Sequence, residues 1–389
     1  MTRPGSAERS TTVSIPENHY DIVVTPNSIR DSAKPMPLVA RIITVAALPL
    51  FFVVAFVLCY VSALHAPAPH NFPLAISAST AQTAELETAF TERAGKDAFA
   101  LTWMSSPGEA RAAVAGREAL GAIIVEHDRV NTIIASSGGV SAASLVKGVG
   151  VQVAESLDLP IKVTDVAVPR PGDPTGTGLF FLFVVCTVGA YLSITALSQV
   201  HPRARTRTQI VLAAAAAVLA PLIGIGIESI FIDSTATELS TLAALYAVAA
   251  LYTFTVGILS SLFVKLLGQA GAFAGVLVLL AINLPSSGGA SPAAMVPGFW
   301  QGVHDVWVGA GGLEAMRSIL AFDGAQVGRW IVQLAIWTIV SLVLLIVVSA
   351  AKRRRADRAR RAADAAVNSE LPEAQDSAAA TPALGVQAR

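Results

Sequence analysis

The sequence predicts a polytopic α-helical membrane protein: about six transmembrane helices with a small extracellular α/β domain between the first and second spans. Three observations carry that expectation. The chain is 53% hydrophobic and only 14% charged, whereas soluble domains hold about a quarter charged residues, so it is short of the polar surface that water demands. Its apolar residues gather in long uncharged runs, giving a mean hydropathy of +0.61. A single hydrophilic stretch separates the first run from the others. It ends in Val166–Tyr191, VAVPRPGDPTGTGLFFLFVVCTVGAY, where Pro169, Pro171 and Pro174 predict an unstructured hinge before the chain turns apolar at Gly178.

Charge and cysteine content narrow the chemistry. The 27 basic and 27 acidic residues cancel, which argues against a nucleic-acid partner. Cys59 and Cys186 both fall inside apolar runs, so the hydrophilic stretch has no disulfide framework and no CxxC metal site.

Taken in order, residues 1–41 form a polar, proline-punctuated N-terminal tail expected to be disordered, with Ser14–Val24 able to pair with a partner. Ile42–Leu64 is uncharged and long enough to cross the bilayer, and its late start makes it a signal anchor. Residues 65–177 alternate strand and helix patterns. Phe72–Ser77 reads as a strand, Thr80–Ala94 as a helix with Leu86 and Phe90 on one face, and Ala98–Trp103 as a strand. Ser106-Pro107 opens a helix with Glu109 in its first turn, where the dipole favours a carboxylate. Gly121–Val125 and Val130–Ala135 read as a strand pair turning at Glu126–Arg129. Ser136–Gly139 reads as a turn, Val140–Leu157 as a helix and Ile161–Val168 as a closing strand. Strands alternating with helices imply a small α/β domain with one core.

Residues 178–351 are expected to hold five further spans: Gly178–Leu197, Ile210–Ile230, Leu242–Leu267, Ala270–Pro285 (extendable through Ala290) and Trp330–Ala351. Recurrent glycines, such as Gly189, Gly224 and Gly257, suit close helix approach. Between the last two spans, residues 292–320 predict an external amphipathic or re-entrant segment whose aromatics, Phe299, Trp300 and Trp307, share one face. His304, Asp305, Glu314 and Arg317 interrupt that stretch and exclude a seventh crossing. Residues 352–389, basic and then acidic, are expected to be a disordered tail.

Basic loops set the orientation. His201–Arg207 (HPRARTR) and Lys352–Arg361 are basic and the fourth-to-fifth turn has Lys265, whereas Glu228–Ser240 carries acids only. Both termini are therefore expected on the cytoplasmic side of the plasma membrane, with residues 65–177 external.

No GxxxxGK[ST], HExxH, GxSxG or Cys/His ligand cluster occurs, so no catalytic residue, cofactor or metal site is expected and the chain does not read as an enzyme. His65 with His70 lacks a third metal ligand, and His304-Asp305 beside Ser286-Ser287 is a poor hydrolase triad. Polar residues in the spans matter more, because lipid burial of such groups is costly. Glu228, Asn283 and Gln333 are the candidates, with water expected to satisfy Glu228 at the outer end of its span.

The order of these parts resembles the type 2 ABC transporter permeases, in the phage infection protein-like branch. The likeness spans about Arg41–Ala351 and rests on FPLAIS after the first span, GAIIV at Gly121–Val125 and the VAVPRPGDPTG hinge. It implies an ATP-driven exporter of a lipid, drug or cell-envelope component. It also implies a separate ATP-binding-cassette subunit docking on His201, Arg203, Arg205 and Arg207, and a homodimer or paired permease. The alternative is a non-transporting cell-envelope binding or scaffold protein acting through its extracellular domain.

Overall fold

A computed structural model describes residues 37–233, 237–268 and 270–379. The chain divides into an N-terminal unit, Met1–Ala46, and a large unit, Ala47–Arg389. Of the tail expected to be disordered over residues 1–41, residues 1–36, Ser14–Val24 included, lie outside the described residues, and Leu38–Arg41 instead begin α1. Helix α1 (Leu38–Leu64) is followed by β1 (Phe72–Ser77), α2 (Thr80–Ala94), β2 (Phe99–Trp103), α3 (Pro107–Ala115), β3 (Gly121–Val125) and β4 (Val130–Ile134). A 3-10 turn at Ser136–Gly138, α4 (Val140–Ser156) and β5 (Ile161–Asp165) complete an α/β unit.

The sheet order is β2-β1-β3-β4-β5, parallel except for the β3–β4 hairpin. Alternation along the strands gives it two buried faces. Phe72, Leu74, Ile76 and Ile123 pack with Leu86 of α2 and with Val146 and Val153 of α4. On the opposite face Ala75, Ala122, Ile124 and Ile133 meet Ala110, Ala113 and Val114 of α3, small side chains that let the helix sit close. Ser106 caps α3 by accepting from the Glu109 amide at 3.2 Å. The expected closing strand stops short of Val168, because the Asp165 carboxylate accepts from the Ser136 and Ala167 amides and turns the chain.

The proline-rich hinge is ordered, not unstructured. Asp173 accepts from the amides of Thr177 (2.9 Å) and Gly178 (3.0 Å), satisfying donors at the start of the next helix. Arg170 pairs with Glu228, and the Pro171 carbonyl accepts from the Asp233 amide at 3.2 Å. The prolines restrict the backbone and the acid–amide bonds fix it. Asp173→Ala is expected to cost about 1–2 kcal/mol, with Asp173→Asn keeping most of the cap. Thermal unfolding of the two variants, with proteolysis across residues 166–177, checks this.

Among the described residues, four helices are long and apolar enough to cross a membrane: α5 (Gly178–Val200), α6 (Thr206–Phe231), α7 (Leu239–Leu267) and the first part of α12 (Val327–Ala379). Two apolar helices are shorter: Pro49–Leu64 within α1, and Ala270–Ser286. The latter is α8 (Ala270–Val276), a π-helical stretch at Leu277–Ile282 and α9 (Asn283–Ser286). Next come α10 (Gly298–Val306) and α11 (Val308–Ala321), a hairpin occupying the stretch expected to be amphipathic or re-entrant.

Of the C-terminal tail expected to be disordered over residues 352–389, the part up to Ala379 is helical, a continuation of α12, and residues 380–389 lie outside the described residues. The Ala/Arg-rich sequence after Lys352 has high helix propensity, and the apolar helix before it has already met the cost of nucleation.

Candidate functional site

The α/β unit is anchored by more than its flanking helices. The Ala68 and His70 amides donate to the carbonyls of Met295 and Ala294, at 3.2 and 2.9 Å. Phe322, just past α11, buries itself against the α3 face of the sheet. Between these contacts lies a cluster of charged side chains almost closed to solvent.

Its centre is Glu314, 4% exposed, on α11. Arg117 approaches from the α3–β3 turn, where its positive φ of 60° directs the chain away from the helix. One guanidinium nitrogen donates to the Glu314 carbonyl at 3.1 Å and another meets the Glu314 carboxylate. The same group lies 5.1 Å from the centre of the Phe322 ring. Arg317, one turn beyond Glu314, pairs with the other carboxylate oxygen and donates to the Gly288 carbonyl at 2.8 Å. Gln326 holds the Arg117 carbonyl at 3.0 Å. Gly288 has φ +84°, and a Cβ there would come within 2.6 Å of the Glu314 carboxylate, so the turn requires glycine on both counts.

Burial alone would raise the pKa of Glu314. The Arg317 and Arg117 guanidiniums and His304 outweigh it, and hold the carboxyl at about 2. Two cations on one anion leave the cluster positive and the carboxylate ionised.

The second site is polar and lies within the helical bundle. Tyr252 of α7, fully buried, stacks on Phe183 at 4.8 Å. Its hydroxyl shares a 2.7 Å hydrogen bond with Thr187 of α5 and accepts from the Asn283 amide at 2.8 Å. Asn283 sits where the π-helical stretch ends, and its Oδ1 has no partner among the described residues. A Cβ on Gly309 would fall 2.3 Å from that oxygen, so glycine lets α11 close over Asn283.

The other sequence candidates are dispersed. Glu228 lies at the end of α6 and pairs with Arg170 of the hinge. Gln333 on α12 donates to the Trp307 carbonyl at 2.8 Å, joining α12 to the helical hairpin. The expected common face of aromatics is split: Phe299 is 72% exposed, whereas neighbouring Trp300 is 4% exposed. Consecutive helical residues point about 100° apart, so Trp300, His304 and half-buried Trp307 form the inward face instead. His201, Arg203, Arg205 and Arg207 are exposed on and beside the α5–α6 connection, where Lys265 donates to the Ala204 carbonyl at 2.9 Å.

His304 and Ser286 do come together, but not as a triad. The His304 ring bonds the Ser286 carbonyl at 2.9 Å, and Asp305 faces Arg329 at 3.6 Å on the surface. Among the described residues no group of three His, Cys, Asp or Glu side chains could hold a metal.

The sequence reading missed the charged cluster as a unit. Glu314 and Arg317 were visible only as interruptions in an apolar stretch. Their i, i+3 spacing was the available signal, since charges in such a stretch survive by pairing. Comparison with known proteins found no match: no protein-family model, no characterised protein and no solved structure aligns with this chain.

Proposed function

We propose that this chain is the permease-like membrane subunit of an ATP-driven exporter for a lipid, drug or cell-envelope component. In this reading α1 and Ala270–Ser286 join the four longer helices as crossings, the α/β unit is external and both termini are cytoplasmic. The observation that carries it is the Arg117–Glu314–Arg317 cluster. It ties the α/β unit to a helical hairpin that packs into the bundle through Leu313 and Met316. A movement of the bundle would therefore be passed to the sheet unit by a buried ionic contact instead of being lost in a loose linker. The polar Thr187–Tyr252–Asn283 group beside a π-helical interruption supports it further, since such interruptions concentrate at functional sites. A separate ATP-binding-cassette subunit would dock on the exposed loop His201–Arg205. A second permease copy would cover α6, whose apolar window is only 22% buried within the chain.

One observation favours the alternative of an envelope binding or scaffold protein. A cleft between α2 and α4 is floored by Leu86, Phe90, Phe99 and Val153, with Gln82 and Gln152 at its edge. Mild-detergent purification of the whole chain from its native membrane, followed by mass spectrometry, separates the two readings. The exporter reading expects an ATP-binding-cassette subunit to co-purify and Arg203→Glu with Arg205→Glu to lower its ATP hydrolysis at least tenfold, as a misplaced like charge costs over 1.4 kcal/mol. A preparation free of any ATPase, retaining envelope proteins through residues 65–177, would overturn it.

A further inference from the structure

At the basic end of the bundle, α6 and α12 enclose a groove of about 500 Å³. Its floor is fixed where the Thr206 hydroxyl donates to Ser349 at 2.8 Å, a bond between buried side chains. One end of the groove is cationic, with Arg207 from the first turn of α6 and Arg353 and Arg354 from α12. All three are exposed, and among the described residues none makes an ion pair. The other end is apolar, lined by Ile210, Val211 and Ile346, of which Val211 and Ile346 are more than half exposed. The boundary falls at Lys352, where the apolar run of α12 stops and its charged extension begins.

We propose that this groove binds an anionic phospholipid, its phosphate held by Arg207, Arg353 and Arg354 and its acyl chains lying along Val211 and Ile346. Charge complementarity selects the headgroup, because three guanidiniums with no carboxylate partner among the described residues favour an anion and offer paired donors to a phosphate. The apolar half selects a lipid over a free phosphate. A basic recess between helices at the bilayer surface is the arrangement in which anionic headgroups are retained. The assignment rests on α6 and α12 crossing the membrane and not on the export reading. The groove differs from the diffuse attraction of the tail, because Arg358, Arg360 and Arg361 lie beyond it on the same helix.

The test uses the full chain purified in mild detergent, read by native mass spectrometry and by melting temperature. The probes are dioleoyl-phosphatidylglycerol, dioleoyl-phosphatidylcholine and glycerol 3-phosphate. Phosphatidylglycerol is expected to be retained and to raise the melting temperature, and the other two to do neither. The variant Arg207→Gln/Arg353→Gln/Arg354→Gln should lose affinity on the order of 100-fold, each juxtamembrane cation contributing roughly a fivefold factor. Its lipid-free melting temperature should match that of the parent, since the three side chains are exposed.

An equal loss in Arg358→Gln/Arg360→Gln/Arg361→Gln would reduce the effect to a diffuse polybasic one and overturn the proposal. Equal stabilisation by glycerol 3-phosphate would make it a free-phosphate site. Unchanged lipid retention with release of an acidic co-purifying protein would make it a protein surface. Alkaline extraction tests the premise separately: a chain that leaves the membrane in carbonate does not cross it, and the assignment falls with that premise.

Discussion

Replacing Glu314 with alanine is expected to destabilise the protein by about 3–5 kcal/mol, the cost of leaving buried charges without their partner. Arg317 and most of Arg117 would keep their desolvation penalty and lose the carboxylate they share. Thermal unfolding in mild detergent measures the loss. Adding Arg317→Met should recover part of it, since an apolar side chain of similar length removes the stranded charge. A Glu314→Ala variant within about 0.5 kcal/mol of the parent would show that the cluster holds nothing together.

The same carboxylate sets a pH dependence. Its folded pKa, about 2, lies below the ordinary value of 4.5, so the group adds stability that is fully present above about pH 4.5. That contribution is lost as pH falls from there through about 2. Parent protein should therefore lose melting temperature faster than Glu314→Gln across this window. Parallel curves would mean that the carboxylate is not held ionised by the arginines.

Tyr252→Ala is the other large effect, expected at about 3–5 kcal/mol because it empties a fully buried aromatic site between α5, α7 and Asn283. Tyr252→Phe keeps the ring stacked on Phe183 and removes only the hydroxyl. It should cost about 1–2 kcal/mol, chiefly by stranding the Asn283 amide, since Thr187 keeps its hydrogen bond to the Phe183 carbonyl. The ratio of the two losses, read from unfolding in detergent, separates packing from hydrogen bonding. Near-equal losses would mean that the polar group, not the ring, organises the bundle.

The sheet unit was legible in sequence because each strand is a short apolar run with its own punctuation. GAIIV is preceded by a turn and followed by Glu126–Arg129, and Ser106-Pro107 announces α3 through a cap and a residue that fits only a first turn. The long apolar helices were equally plain, since hydropathy over about 20 residues needs no partner to interpret it. What escaped depended on partners distant in the chain. Nothing local says that Arg117 meets Glu314, or that Arg170 pairs with Glu228. Phe299 and Trp300 have nearly the same hydrophobicity, and only packing against Ala63 and Val296 decides which turns inward. The helical tail was missed for another reason. Its composition resembles a solvated linker, and its helix depends on being continuous with an apolar one.

The contact between Arg117 and Glu314 joins residues 197 positions apart, and this orders events during synthesis. At about 5–20 residues per second, roughly 10–40 s pass between the emergence of the two side chains. Once Asp165 has emerged, the sheet unit has all five of its strands but neither the carboxylate for Arg117 nor Phe322 to close its α3 face. The half-made protein thus presents an uncovered apolar patch and an unpaired cation together, the combination that a chaperone or quality-control protease recognises as unfinished. Arrival of α11 conceals both at once, so completion of the chain and concealment of the patch become a single event.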